Sequence, residues 1–435
     1  MRRVLLVSYY APPRPGIASI RTQQLIKYLP AHGWEVTVLT ASLPGAAPDV
    51  VQTPYVDLAG GVKRALGLGD KSAHETLGIA PPARGARRSL RQAAVAWGYR
   101  LTSYPDAQAG WFFSGGSALA AELASGRYHA VLSSSPPFTT HLMLALQQLR
   151  IPWIADYRDL WGGSDAYASP LRRRFDRLLD TWTLQRVSAA VTVSQPMSST
   201  IRSMRPGIPL EVIPNAFDEE EWQSIPFSTQ AQTTFLYAGQ LFSGRRDPRP
   251  LFRVVRSLID AGAISAQEIR IVLYTTAERW LCEAIEQTGL EAIVQLPGIV
   301  SRDDVLRAER SADRLIVLLW DGAGSEGILT GKLFEYLGAG REIIAIGGPP
   351  SSAVDEVLAA AGAGVRVRDH EALSREVLDA VTEHRRASVR RTEPAKLAPF
   401  TAPGMAARFA ALLDRVTGLR CAHVDVPANA ARCNR

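Results

Sequence analysis

The chain has 435 residues, 46% of them hydrophobic and 21% charged, with a formal net charge of +7 at pH 7. That length exceeds one ordinary core and predicts two domains, and the balance is that of a globular protein, neither disordered nor fibrous. No apolar run reaches the ~20 residues of a membrane span, and three cysteines (Cys282, Cys421, Cys433) without metal-site spacing argue against structural zinc or a disulfide framework. The start, MRRVLLVSYYAPP, has an apolar stretch too short for a signal peptide and no small-residue cleavage site, so it reads as a first strand in a cytoplasmic protein. Short β-rich runs fall at residues 3–9, 35–40, 129–134, 153–156 and 189–193, with helical patterns at 20–29 and 140–149. A second series has strands at 234–238, 269–274, 315–319 and 343–346, with helices at 249–261, 277–288, 302–311 and 353–361. Such alternation predicts two parallel sheets, each covered on both faces, with ligands beyond the carboxyl ends of the strands. The proline-rich stretch 205–215 is the expected join, 403–416 a last helix, and 418–435 a mobile tail.

The most informative segment is EGILTGKLFEYLGAG, residues 326–340. Leu329, Leu333, Phe334 and Leu337 recur at helical spacing, behind a glycine-rich loop (321–327) and the apolar run RLIVLLW (314–320). Strand, glycine loop and helix start together gather backbone N–H groups and the positive end of the helix dipole, which suits an anion. Glu326, Gly327, Leu329 and Thr330 fall at that mouth, and Lys332 adds a full charge in the first turn. Glu335 lies about 4.5 Å further along the axis, an offset that suits a ribose beside a pyrophosphate. A surface helix with an i, i+3 Lys/Glu pair is the plainer alternative.

Four other places carry possible chemistry. In YYAPPRPGIASIRT, Gly16 permits close backbone approach and the amides of residues 17–19 open a helix. This loop is not GxGxxG, which counts against a dinucleotide dehydrogenase. In IADYRDLW, Asp156 and Asp159 flank Arg158 at a strand end, where they can fix a loop through bidentate pairs or hold sugar hydroxyls. No third metal ligand is apparent there. His141 starts the helix after SSSPPFTT, where serine and threonine can cap and a neutral imidazole is favoured. In AGQLFSGRRDP, Gly239 and Gly244 bracket a loop in which Arg245 and Arg246 offer two guanidinium forks that match phosphate oxygens.

Taken in order, RVLLVSYYAPPRPGIASIRTQQLIKYL, IPWIADYRDLW, AAVTVSQPM, VIPNAFD, FLYAGQLFSGRRDPRPLF and GKLFEYLGAGREIIAI resemble the retaining glycosyltransferases of the large family 4 group. The resemblance spans nearly the whole chain. It implies the GT-B architecture: two Rossmann-like, doubly wound parallel-sheet α/β domains facing across a cleft. On that basis residues 1–207 form the acceptor-side domain, joined by a return helix at about 400–417, and residues 208–399 form the donor domain. The implied donor is a nucleotide-diphosphate sugar and the acceptor a hydroxyl of a saccharide or lipid-linked saccharide, as in bacterial polysaccharide synthesis. Transfer with retention, without metal or other cofactor, is implied as well. Gly16, Gly239, Arg246, Glu326, Gly327, Leu329, Thr330 and Glu335 would bind donor. Arg245 and Lys332 would be catalytic, and His141, Asp156, Arg158 and Asp159 would lie on the acceptor side.

The sequence departs from the family pattern twice. Gln240 stands where a basic residue is customary, and Gly327 where a glutamate usually precedes the ribose-binding one by eight positions, with Glu326 one place off. These departures keep open a non-catalytic GT-B scaffold, and the double fold keeps open a nucleotide-sugar epimerase. The runs ARGARRSLRQAAVAWGYR (83–100) and LRRRFDR (171–177) concentrate positive charge. With Leu90, Val95, Trp97 and Tyr99 the first can lie on an anionic membrane, which would place the protein peripherally at the inner face of the plasma membrane. A solvated helix is the alternative. Nucleic-acid binding is not expected, since no recognition motif is present.

Overall fold

The structure is a computed structural model that describes residues 1–12, 14, 16–42, 50–56, 104–161, 170–322, 324–388 and 391–419. The basic run 83–100, Cys421, Cys433 and all of the tail beyond residue 419 lie outside the described residues. By contacts the chain divides into two units: Met1–Asp156 with Arg186–Ala190 and Ala406–Arg435, and Tyr157–Gln185 with Val191–Met405.

The strands are β1 (Arg2–Val7), β2 (Trp34–Ala41), β3 (Val50–Thr53), β4 (Ala130–Ser135), β5 (Trp153–Tyr157), β6 (Ala189–Thr192), β7 (Leu210–Val212), β8 (Thr233–Ala238), β9 (Ile269–Tyr274), β10 (Val294–Gln295), β11 (Arg314–Leu319), β12 (Glu342–Gly347) and β13 (Gly364–Val367). They form two parallel sheets, one of seven strands in the order β3-β2-β1-β4-β5-β6-β7 and one of six in the order β10-β9-β8-β11-β12-β13. The helices are α1 (Ile17–Tyr28), α2 (Phe112–Ala124), α3 (Thr139–Ala145), α4 (Pro170–Leu184), α5 (Gln195–Met204), α6 (Glu219–Gln223), α7 (Arg249–Asp260), α8 (Arg279–Thr288), α9 (Arg302–Ser311), α10 (Gly331–Ala339), α11 (Ala353–Ala361), α12 (His370–Arg385), α13 (Pro394–Leu397) and α14 (Ala402–Thr417).

The apolar runs become strands because a parallel strand buried on both faces needs no polar alternation. Val4, Leu5, Leu6 and Val7 have no exposed surface, and β1 pairs through Val4 with Val36 on one side and Ala130 on the other. In β8 the alternation sorts side chains to two cores. Phe235 and Tyr237 pack with Val255, Leu281 and Val377, whereas Leu236 and Ala238 pack with Leu333, Leu337 and Val357. Each such large apolar side chain contributes about 1.5–3 kcal/mol when fully buried. The helices have local reasons for their ends. Ser301 caps α9 by accepting from Asp304 N–H, Ser352 caps α11 by accepting from Val354 N–H, and Gly340 ends α10 at φ 67°.

Two stretches differ from the sequence reading. Residues 210–212, inside the expected join, form β7 of the seven-stranded sheet, and α3 stops at Ala145 instead of 149. The strands β3, β7, β10 and β13 have two to four residues, too few for a periodic signal to separate from loop.

Candidate functional site

In the six-stranded sheet β8 lies between β9 and β11. Strand order therefore reverses at β8, and the carboxyl ends of β8 and β11 frame the crevice in which doubly wound sheets take ligands. The loop after β8 turns sharply there. Phe242, Ser243 and Gly244 have φ of 50°, 52° and 85°, at a cost of about 1–2 kcal/mol for each non-glycine residue. Backbone bonds from Arg245 N–H to Phe242 O (3.2 Å) and from Arg246 N–H to Leu241 O (3.0 Å) hold the turn. It carries the Arg245 guanidinium over the Trp320 ring (5.1 Å to the centroid) and that of Arg246 over Phe242 (4.9 Å). These four residues, with the end of β11, wall a cavity of about 210 Å³. Ile328 and Thr330 close it from the loop before α10, and Pro349 and Ser352 from the loop before α11. Thr330 and Ser352 are the N-cap residues of α10 and α11, so two helix N-termini open on one cavity and raise its positive potential.

Beyond the mouth of α10, Lys332 and Glu335 form the expected i, i+3 pair, but inside the protein and with partners from elsewhere. Lys332 Nζ donates to Glu335 Oε1 and, at 3.2 Å, to Glu309 Oε1 of α9. Arg302 donates to Glu335 Oε2 at 3.0 Å and grips both oxygens of Glu221 at 2.7 and 2.9 Å. Burial, then the neighbouring Glu335 charge, push the fully enclosed Glu309 well above the usual carboxylate range. Burial acts upward on Glu335 too, yet Lys332, Glu309 and Arg302 outweigh it and hold this carboxyl below its ordinary value. The two carboxyls are thus pushed in opposite directions, Glu309 up and Glu335 down. The Tyr336 hydroxyl accepts from Ala238 N–H at 2.9 Å, which pins α10 to the end of β8.

The residues singled out in the first half sit differently. Gly16 takes φ 111° as the N-cap of α1, and the Ser19 hydroxyl folds back onto the carbonyls of Arg14 and Gly16 at 2.7 and 2.8 Å. Asp156 is fully buried and takes its cation from α1, not from Arg158. Arg21 grips it through Nε (3.0 Å) and Nη2 (2.9 Å), and the Ser134 hydroxyl adds a bond at 2.9 Å. His141 is 1% exposed. Its Nδ1 lies 2.9 Å from the Ser133 hydroxyl, which also accepts from Trp153 Nε1 at 2.7 Å. Arg158 and Asp159 fall in the second unit, half-buried and exposed respectively. Among the described residues no group of His, Cys, Asp and Glu has the form of a metal site.

Residues 18–221 match the profile of Glycosyltransferase Family 4. In structure the chain is similar to a sucrose-phosphate synthase from Thermosynechococcus elongatus, with 12% identity over 96% of this chain and 100% of that one and a TM-score of 0.62. A glycosyltransferase from Rickettsia africae gives 12% identity, 95% and 98% coverage and a TM-score of 0.59. Residues 18–221 are thus similar to Glycosyltransferase Family 4, and the chain has the GT-B fold. A UDP-N-acetylglucosamine 2-epimerase from Listeria monocytogenes, at 12% identity, 95% and 96% coverage and a TM-score of 0.54, has the same fold. No curated protein matches the sequence.

Set against the family 4 pattern, the two departures have local causes. Gln240 gives its backbone carbonyl to the Tyr237 hydroxyl at 2.8 Å, as part of the turn that presents Arg245. Gly327, where the family usually has glutamate, gives its carbonyl to the Ser194 hydroxyl at 2.8 Å within the second unit. A Cβ on Gly327 would meet Ser194 Oγ at 3.1 Å and Met197 Cγ at 3.2 Å, so any side chain there requires these neighbours to give by a few tenths of an ångström. Glu326 is half-buried, and its carbonyl accepts from Ala353 N–H at 2.7 Å, tying the loop to α11. Leu329 packs into the core. Of the residues expected at the donor site, the structure brings Arg245, Arg246 and Thr330 to the cavity and gathers Lys332 and Glu335 in the adjoining network. Sequence reasoning missed Phe242, Trp320, Ile328, Pro349 and Ser352. The signals were a tryptophan ending the run RLIVLLW and the turn-forming GGPPSS after the next strand.

Proposed function

We propose that this protein is a retaining, metal-independent glycosyltransferase that moves a hexosyl group from a nucleoside-diphosphate sugar to a hydroxyl of a saccharide or lipid-linked acceptor. The observation that carries this reading is the second unit's cavity, where Arg245, Arg246 and two helix N-termini concentrate positive charge at the point of strand-order reversal. That is the charge a diphosphate leaving group needs, supplied by protein groups. The acceptor oxygen would bond to the anomeric carbon on the face from which the diphosphate departs. The bond from that carbon to the β-phosphate oxygen would break, and the acceptor's proton would pass to the departing phosphate. Arg245 and the α10 amides would stabilise the charge that develops on it, where differential stabilisation lowers the barrier. Lys332 would add charge through the first turn of α10, and Glu335 would accept from the ribose hydroxyls while Arg302 and Lys332 fix its orientation.

The test is a calorimetric panel of UDP, GDP, ADP, CMP and their common sugar conjugates, with and without EDTA. Micromolar binding of one nucleoside diphosphate, indifferent to EDTA and lost in Glu335→Ala, is expected. Binding by none of them would overturn the transferase reading and favour a non-catalytic scaffold. Turnover of a sugar nucleotide with no acceptor present would favour the epimerase.

A further inference from the structure

Helix α4 is built inside out. Leu171, Phe175 and Leu178 recur at i, i+4 and i+7 on one stripe of its surface, and they are 79%, 52% and 61% exposed. Trp182 continues the stripe one turn on and is half-buried. The opposite face, turned into the second unit, carries Asp176, Asp180 and Thr183, none more than 3% exposed. There the Tyr157 hydroxyl donates to Asp180 Oδ1 at 3.0 Å, and Arg172 Nε stands 3.6 Å from Asp176 Oδ2. A surface helix ordinarily turns its apolar residues inward and its charges to water. This one does the reverse with its two carboxylates and with three of its large apolar residues, while Leu184 is buried in the ordinary way.

The charges beside the stripe say what covers it. Arg173, Arg174 and Arg177 are all exposed, and Arg174, three residues from Leu171 and four from Leu178, lies beside both around the helix. Both acids of α4 are buried, so the exposed charge of the helix is positive throughout. An apolar stripe about one side chain wide with a row of guanidinium groups along it matches the boundary between acyl chains and phosphate headgroups. The apolar side chains enter the hydrocarbon edge, and the arginines reach the phosphates on their long stems. At 1.5 Å per residue the helix is about 22 Å long, enough to lie in that plane and, together with the absence of any described helix long and apolar enough to span, consistent with attachment from one side. We infer that α4 is a docking surface for an anionic lipid bilayer, with Leu171, Phe175 and Leu178 as the inserted residues and Arg174 and Arg177 as the headgroup contacts.

The inference is tested with the full chain and vesicles of phosphatidylcholine, alone or mixed with phosphatidylglycerol, by co-sedimentation. The protein is expected to sediment with the mixed vesicles only, and less so as salt is raised. Two combined variants, Leu171→Gln with Phe175→Gln and Leu178→Gln, and Arg174→Gln with Arg177→Gln, should each partition about tenfold less. The arginine pair keeps the test valid should the apolar variant fold poorly. Failure of the native chain to bind mixed vesicles overturns the inference, as does undiminished binding by the arginine variant. So does a dimer that the apolar variant dissociates, which would mean that a second copy covers the stripe.

Discussion

In the first unit Arg21 lies 2% exposed with both ends of its guanidinium on a fully buried carboxylate, Asp156. In the second, Arg245 and Arg246 lie over the rings of Trp320 and Phe242 at the wall of a cavity. The side chain is the same and the work is opposite. A carboxylate partner in a sealed interior consumes the cation and ties α1 to the ends of β4 and β5. An aromatic partner takes only the face of the guanidinium, whose N–H donors lie in its plane. A basic residue near a strand end is therefore a candidate anion ligand only once its partner is known.

The comparison breaks most easily at Arg21. Arg21→Ala leaves Asp156 buried with only the Ser134 hydroxyl and neighbouring groups to replace the cation, and loss of one partner of a buried pair costs about 3–5 kcal/mol. Urea unfolding should show that loss. Arg245→Ala should leave the unfolding midpoint nearly unmoved. An Arg21→Ala chain as stable as the wild type would mean that the sealed pair is no structural device.

A second buried aspartate sharpens the contrast, because no cation among the described residues grips it. Burial, opposed by the Tyr157 hydrogen bond and aided by Asp176, raises Asp180 from 3.8 to about 7. The folded state then keeps a proton that the unfolded chain has shed, so stability falls as pH rises from about 4 to 7. Asp180→Asn cannot ionise and can still accept from Tyr157. Its stability relative to wild type should grow across that window and level off above it, to a limit of about 4 kcal/mol at roughly 1.4 kcal/mol per unit. A difference that stays flat between pH 5 and pH 8, measured by urea unfolding, would show that Asp180 ionises normally.

The active-site arm of the contrast is Arg245→Ala, expected to lower kcat/KM by about a hundredfold, the effect of removing one charge-stabilising donor. Glu335→Ala should instead weaken donor binding. If Arg245→Ala keeps full kcat/KM, the cavity's cations do not face the leaving group.

How much of this was legible follows the range of the interactions. The strands 269–274 and helices 302–311 and 353–361 stand in the structure as the sequence reads them, because apolar runs and 3.6-residue spacing are local signals. Glycine loop, paired arginines and the start of α10 were readable for the same reason. The partners were not. Asp156 has Arg158 two places away, yet pairs with Arg21, 135 residues distant. Lys332 and Glu335 announce their own pair, but Glu309 and Arg302, which complete the network, come from α9. Trp320 looks like the last residue of a buried strand, and only the fold puts it under Arg245.

The smallest expected effect concerns the cavity's own frame. Gly327 has an ordinary φ, so alanine there suffers no backbone strain and gains roughly 0.4–1 kcal/mol from a less flexible unfolded chain. Against that, its Cβ would press on Ser194 Oγ at 3.1 Å, Met197 Cγ at 3.2 Å and Pro196 Cβ at 3.4 Å, and crowding a packed site costs about 1–3 kcal/mol. The balance predicts Gly327→Ala to be destabilised by about 1 kcal/mol. Ser194→Ala removes the nearest of the three atoms, so the double variant should lose less than the sum of the singles. Strict additivity in a double-mutant cycle would mean that the loop shifts away from α5 at no cost. The glycine would then be no obstacle to the larger side chain usual in the family, and its presence would need a reason in the donor sugar instead.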